Sequence, residues 1–254
     1  MFENRTTYRS QHQKKGLVSF EITVKETNLN IQAQTDLSDN AIQAALIYRN
    51  FIENYIHKFP AFATALSPLP QPFLAPAIVI DMIEAGKRAN VGPMAAVAGA
   101  MAQYVGEDLL ALSNEVVVEN GGDIFIKSDS ETIFSIYAGN SPLSMTTGIL
   151  VEKQKDPFGM CTSSGTLGHS KSFGRADAAS VIADSCALAD ASATALCNMV
   201  QKSSDIEKAI HAGKQIQGIQ GIVIIKEKHI GLWGDLKLVR LSPESTTLIT
   251  PDKR

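Results

Sequence analysis

Residues 159–194 read GMCTSSGTLGHSKSFGRADAASVIADSCALADASAT. The stretch gathers hydroxyls, glycines, a cysteine, a histidine and aspartates, with few large apolar side chains. Its second half opens a segment, residues 183–200, made almost entirely of Ala, Leu, Cys, Ser and Met. That is the makeup of a buried helix, with Asp184 or Ser185 as its cap. Asp190 and Thr194 stand four residues apart, on one face of that helix. A carboxylate there is costly unless it is paired or bound to a cation. Such oxygen donors suit Mg²⁺, which keeps waters and takes substrate phosphates for the rest of its shell. A purely structural role is an equal alternative: Asp190 bonded to nearby backbone or an arginine, Thr194 back-bonding its own helix.

The first half reads as a loop. Thr162, Ser163, Ser164, Gly165 and Thr166 offer hydroxyls and unobstructed backbone N–H groups, the donors from which anion-binding nests are built. The lysine and spacing of GxxxxGK[ST] are missing, which excludes an ordinary nucleoside triphosphate loop. His169 is a candidate general base or phosphate contact; a lone histidine is more often structural. Cys161 is a nucleophile only where its thiolate is stabilised; a buried, inert thiol is the commoner outcome.

Outward from this stretch, residues 17–24 and 29–33 predict two strands joined near Glu26-Thr27-Asn28. Ser38-Asp39-Asn40 offers caps for a helix that runs to Pro60. Pro60, Pro68, Pro70, Pro72 and Pro76 then impose a long irregular connection, a length that suits a lid. A helix follows Pro76. Pro93 opens another whose second face is almost all Ala and Gly, the pattern of close helix packing. The string ENGGD predicts a strand, a turn at Gly121-Gly122 and a second strand; a type I′ hairpin accounts for it, and the glycines also let backbone N–H groups face a ligand. Further strands are expected near residues 133–138, 148–152, 219–226, 230–233 and 236–241. The fold class is α+β, mainly antiparallel sheets flanked by helices. Residues 1–254 read as one domain; the similar order of elements in its halves allows two sub-lobes, about 1–150 and 151–254, and a duplicated α/β unit.

Hydrophobic content of 44% with 19% charged residues describes a globular chain. The net charge of −3 gives no reason to expect nucleic acid. No apolar run reaches the roughly 18–20 residues of a membrane span. The basic residues near the start have no apolar segment behind them, so no secretory signal is read. Three cysteines without CxxC spacing fit reduced thiols in a cytoplasmic protein.

The strings VGPMAAVAGAMA, VENGGDIFI, CTSSGTLGHSKSFGRADA and LADASATALCN resemble an uncharacterised bacterial and archaeal family related to ApbE, the FAD:protein FMN transferases. The resemblance to that family runs from Tyr8 to about Trp233; the likeness to the transferases rests on three short stretches. It implies an ApbE-like fold and a flavin nucleotide, FAD or FMN, as ligand. Carried over by motif, Asp190 and Thr194 become the Mg²⁺ ligands, with a carbonyl near Ala96 to Ala98 as the third. Gly121, Gly122 and Asp123 fall beside the flavin nucleotide, and Ser163 to Thr166 near its phosphates or ring. Two departures stand out: Ala98 replaces the transferases' lysine, and His169 leads into SKSFGRAD where they carry Asp-Pro-x-x-Gly.

The leading expectation is a cytoplasmic, Mg²⁺-dependent flavin or nucleotidyl-type transferase acting on a small-molecule ligand, compatible with a homo-oligomer. His169 or Asp177 would handle the proton. The resemblance also implies an alternative in sulfur assimilation, sulfide into homocysteine, with Cys161 as persulfide carrier or nucleophile. A third reading is a flavin-binding protein without catalysis.

Overall fold

The computed structural model describes residues 16–166 and 173–242, and the backbone of 245–249. Strands β1 (Val18–Val24) and β2 (Thr27–Ala33) form a hairpin. Its tight turn places Lys25 at φ 53°, and so begins earlier than the sequence predicts. Helix α1 spans Ser38–Lys58. Its start differs from expectation: none of the three polar residues caps it, and Asp36 instead accepts from the Ser38 N–H and hydroxyl. The proline-rich connection holds one short helix, α2 (Ala61–Thr64), which buries Phe62 and leaves Leu66, Phe73 and Leu74 exposed. Helix α3 (Ala77–Ala89) ends on Asn90 in the left-handed region at φ 57°, a conformation Asn tolerates. A 3-10 turn at Pro93–Ala96 leads into α4 (Val97–Leu110).

Strands β3 (Val116–Asn120), β4 (Asp123–Lys127), β5 (Thr132–Ser135) and β6 (Thr147–Val151) follow. The focal stretch then departs from its reading as loop and helix. Its beginning is strand β7 (Phe158–Ser163) and its middle is strand β8 (Ala178–Ala183), before α5 (Cys186–Met199). Small and hydroxyl residues disguise both strands, because β propensity is weak beside burial between two layers. Ser185 caps α5, its Oγ accepting from the Leu188 N–H at 3.2 Å. Helix α6 (Ile206–Gly213) and strands β9 (Ile219–Lys226), β10 (His229–Gly234), β11 (Lys237–Ser242) and β12 (Ser245–Ile249) complete the order.

Among the described residues every strand pairing is antiparallel. One sheet has eight strands in the order β1-β2-β3-β4-β7-β8-β9-β10; a second has four, β12-β11-β6-β5. The large sheet is the middle of three layers. Successive residues point to opposite faces of a strand, and here the faces meet different cores. Val116, Val118, Phe125, Val181 and Ile224 join the helices; Val117, Ile124, Ile126, Ile182 and Val223 join the small sheet. The class is α+β as the sequence reads.

Small residues set how closely the helices approach. A Cβ on Gly106 of α4 would strike the ring of Phe125 beneath it, and one on Gly159 of β7 would strike the Cys186 backbone. The Ala/Gly face of α4 is therefore a packing face. Gly159→Ala is expected to lower the urea midpoint by the equivalent of about 1–3 kcal/mol, with an unchanged m-value, because the β7–α5 backbones must move apart.

Candidate functional site

Helices α4 and α5 cross with their chains running in opposite senses, and each caps the other. The first N–H groups of a helix lack intrahelical partners. Asp190 of α5 supplies those of α4: its Oδ2 accepts from the Gly99 N–H at 2.9 Å, and the Ala98 N–H also bonds it. Gln103 of α4 supplies those of α5: its Oε1 accepts from the Cys186 and Ala187 N–H groups at 2.9 and 3.4 Å. Gly99 makes the crossing possible, since a Cβ there would strike the Cys186 carbonyl and lie 2.8 Å from Asp190 Cβ. Thr194 lies half-buried one turn beyond Asp190.

Below this crossing, β4 and β7 present Asp123 and Cys161 as a register pair. Phe125 and Cys161 both belong to the helix-side core, so Asp123, two residues from Phe125, faces the helices as well. Asn120 does too, and its Nδ2 donates to the Ala98 carbonyl at 3.0 Å, one of the carbonyls named for the third metal ligand. Gly121 and Gly122 adopt φ 69° and 119°, as a hairpin turn requires. The Gly122 N–H donates to Glu119 Oε1 at 3.2 Å, and the Gly122 carbonyl accepts from the Thr162 N–H at 3.1 Å. Those groups hold the turn, and Glu119, which sequence reasoning missed, is what holds it.

Burial raises the Asp123 carboxyl to about 7; the Glu119 charge adds to the rise, and a hydrogen bond from Cys161 opposes it. The Asp190 carboxyl is also pushed well above the usual range, first by burial and then by the charge of Asp123, against the pull of the Gly99 and Ala98 N–H groups. The structural reading of Asp190 is thus half right: it caps a helix, yet those N–H groups do not balance its burial and its acidic neighbour.

Other predicted residues sit elsewhere. Cys161 is fully buried; its Sγ donates to the Cys186 carbonyl at 3.4 Å and lies 3.5 Å from Cys186 Sγ. Burial first, then Cys186 and the two aspartates, push its thiol well above the ordinary value. A thiol in this setting is poorly suited to the expected role of nucleophile or persulfide carrier, since the thiolate is the reactive form. Asp177 is buried against the β9–β10 turn, its Oδ2 accepting from the Glu227 N–H at 2.5 Å and its Oδ1 3.6 Å from Lys226 Nζ. Both its oxygens are engaged in a structural turn. Thr162 bonds Ser180 Oγ at 2.8 Å and shares the strand face of Met160, turned toward the small sheet. Ser163, on the face of Cys161, ends β7 on the helix side. Ser164 Oγ bonds both the Thr166 N–H and its hydroxyl at 3.2 Å, while the Gly165 N–H donates to Ala176. His169 lies outside the described residues. A cavity of about 200 Å³ at the amino end of α5, lined by Gln103, Glu107, Phe125, Phe158, Ser185 and others, holds none of the predicted site residues.

Two measurements follow from this geometry. All three thiols are buried, so dithionitrobenzoate is expected to label none of them until denaturant is added. A carboxyl raised in the fold contributes stability that is complete below its unfolded value near 3.8 and is lost as pH rises through about 7. Without divalent cations, thermal stability is therefore expected to fall between about pH 4 and 7, and Asp123→Asn to flatten that fall.

No helix among the described residues is long and apolar enough to cross a membrane. A profile of the family described as AbpE bacteria matches residues 9–237. A UPF0280 protein of Methanocaldococcus jannaschii is 39% identical over 239 residues, covering 92% of this chain and 93% of its own. One from Methanococcus aeolicus is 37% identical, with 87% and 91% covered. Among solved structures, the fold is similar to flavinyl transferase ApbE of Pseudomonas stutzeri, with a TM-score of 0.56 at 14% identity over 85% of this chain and 93% of that one. It is also similar to flavin transferase ApbE of Vibrio cholerae, with a TM-score of 0.53 at 12% identity over 85% and 96%. With a profile spanning most of its length and relatives aligned over nearly all of theirs, the chain belongs to the AbpE bacteria family, whose fold is that of the ApbE flavin transferases.

Proposed function

We propose that this chain binds a flavin nucleotide, FAD or FMN, through its phosphates and a Mg²⁺ ion, at the end of the large sheet where α4 and α5 cross. The observation that carries this reading is the Asp190 carboxylate. It is fixed by backbone N–H groups beside a second carboxylate, in a setting where a cation relieves both burial and repulsion. The donors fit the metal: Asp190 and Thr194 offer oxygens, while the neighbouring thiols of Cys161 and Cys186 are held protonated. A hard oxygen-liganded ion suits that set better than zinc. Once bound, Mg²⁺ would neutralise charge on the phosphates. Ser163, Ser164 and Thr166 would offer hydroxyls to the remaining oxygens, and the Gly121-Gly122 turn would let the nucleotide approach without Cβ obstruction.

A flavin or nucleotidyl transferase is the catalytic form of this reading. A binding protein without turnover is its second form, and a specific observation favours it. Of the three candidates for chemistry, Asp177 is locked into a turn and Cys161 is buried and protonated, which leaves His169. Calorimetry with FAD tests the shared part: binding is expected with Mg²⁺ and at least tenfold weaker with EDTA or in Asp190→Asn. No heat with FAD, FMN or pyrophosphate under any condition overturns it. Release of AMP from FAD in the presence of Mg²⁺, with the FMN phosphoryl passing to an acceptor hydroxyl or, without one, to water, and lost in His169→Asn, selects the catalytic form; binding without release selects the carrier.

A further inference from the structure

The carboxylate facing Asp190 has no role in the metal set carried over by motif. Asp123 lies opposite Cys161 in the β4–β7 register, on the helix side of the sheet. Cys161 in turn touches the carbonyl and Sγ of Cys186. Asp190 follows Cys186 by four residues, on the same face of α5. The two carboxylates thus flank one sulfur–sulfur contact on the helix side of the sheet, and the charge of each bears on a common space.

The groups around them deepen the need for a cation. Glu119 adds negative charge to Asp123. Asp190 receives only the N–H groups of Ala98 and Gly99. Among the described residues no lysine, arginine or histidine contributes to holding either carboxylate ionised. Nor do three His, Cys, Asp or Glu side chains gather there as a closed metal cage. Two carboxylates on the helix side of the sheet, with no closed cage around them, suit a hard divalent ion that completes its shell with hydroxyl, carbonyl, water or phosphate oxygens.

We propose that Asp123 is the second anionic ligand of the cation held by Asp190 and Thr194, and that the cation therefore binds this chain before any nucleotide arrives. This rests on the Mg²⁺ site proposed above. A set of one aspartate and one threonine needs the nucleotide phosphates to hold the ion. Two aspartates bring the charge of the ion to balance without them, so the nucleotide would meet a loaded site.

Mn²⁺ alone serves as the probe, followed by the electron paramagnetic resonance signal of the free ion, with and without FAD. The unmutated chain is expected to take up one Mn²⁺ without nucleotide. Asp123→Asn, checked for native circular dichroism, is expected to weaken that uptake at least fivefold, and Asp190→Asn to abolish it. A loss smaller than fivefold in Asp123→Asn overturns the inference. So does Mn²⁺ uptake by the unmutated chain only when FAD is present, a result that leaves the Mg²⁺ and flavin reading standing and needs no variant to fold. No uptake with or without FAD removes both.

Discussion

The crossing of α4 and α5 is the constraint on which the site depends. Two helices running in opposite senses satisfy each other's unpaired N–H groups through Asp190 and Gln103, and Gly99 lets their backbones meet. Such cross-capping fixes register along both axes at once: sliding either helix by one residue would break both caps. The large sheet enters the same junction through Gly159, whose missing Cβ admits the Cys186 backbone, and through Asn120, which ties the strand end to Ala98. Backbone from four elements is thus pinned at the junction that carries Asp190. A site built this way is preorganised by hydrogen bonds and close contact rather than by bulky side chains.

That arrangement also explains the composition of the quoted stretch. Its shortage of large apolar residues is a condition of close approach. The helix is buried between a sheet and other helices, so Ala, Ser, Cys and Gly are what fit. The hydroxyls of Thr162 and Ser180 bond one another on the opposite face, so part of the hydroxyl-rich segment serves the inter-sheet core.

Much of the fold was legible where periodicity was strong. The long helix ending before Pro60, the helix after Pro76, the Gly121-Gly122 hairpin and the strand over residues 219–226 all follow from apolar spacing and turn chemistry. Strands β7 and β8 were hidden because their neighbours, not their propensities, make them strands. Asp190 and Thr194 were legible as a pair at helical spacing; Asp123 was legible only as part of a turn. Its place opposite Asp190 depends on the register of β4 with β7 and on a helix more than sixty positions later, which no local pattern encodes. Asp177 misled for the complementary reason: an aspartate between small residues, Ala176 and Ala178, looks available, and only the β9–β10 turn shows that both oxygens are engaged.

The small sheet carries a different consequence, for the order in which the molecule assembles. Strands β5 and β6 come from the middle of the chain, but β6 is completed by β11 near its far end. Until that late segment arrives, the apolar face presented by Val117, Ile124, Ile126 and Ile182 has only a two-stranded ribbon over it. An isolated hairpin of that size is marginal in water, and pairing between distant segments is slow to close. The apolar face on that side of the large sheet is therefore fully covered only once β11 has paired with β6. The step that leaves apolar surface exposed longest is thus the joining of two segments far apart in the sequence, β6 and β11.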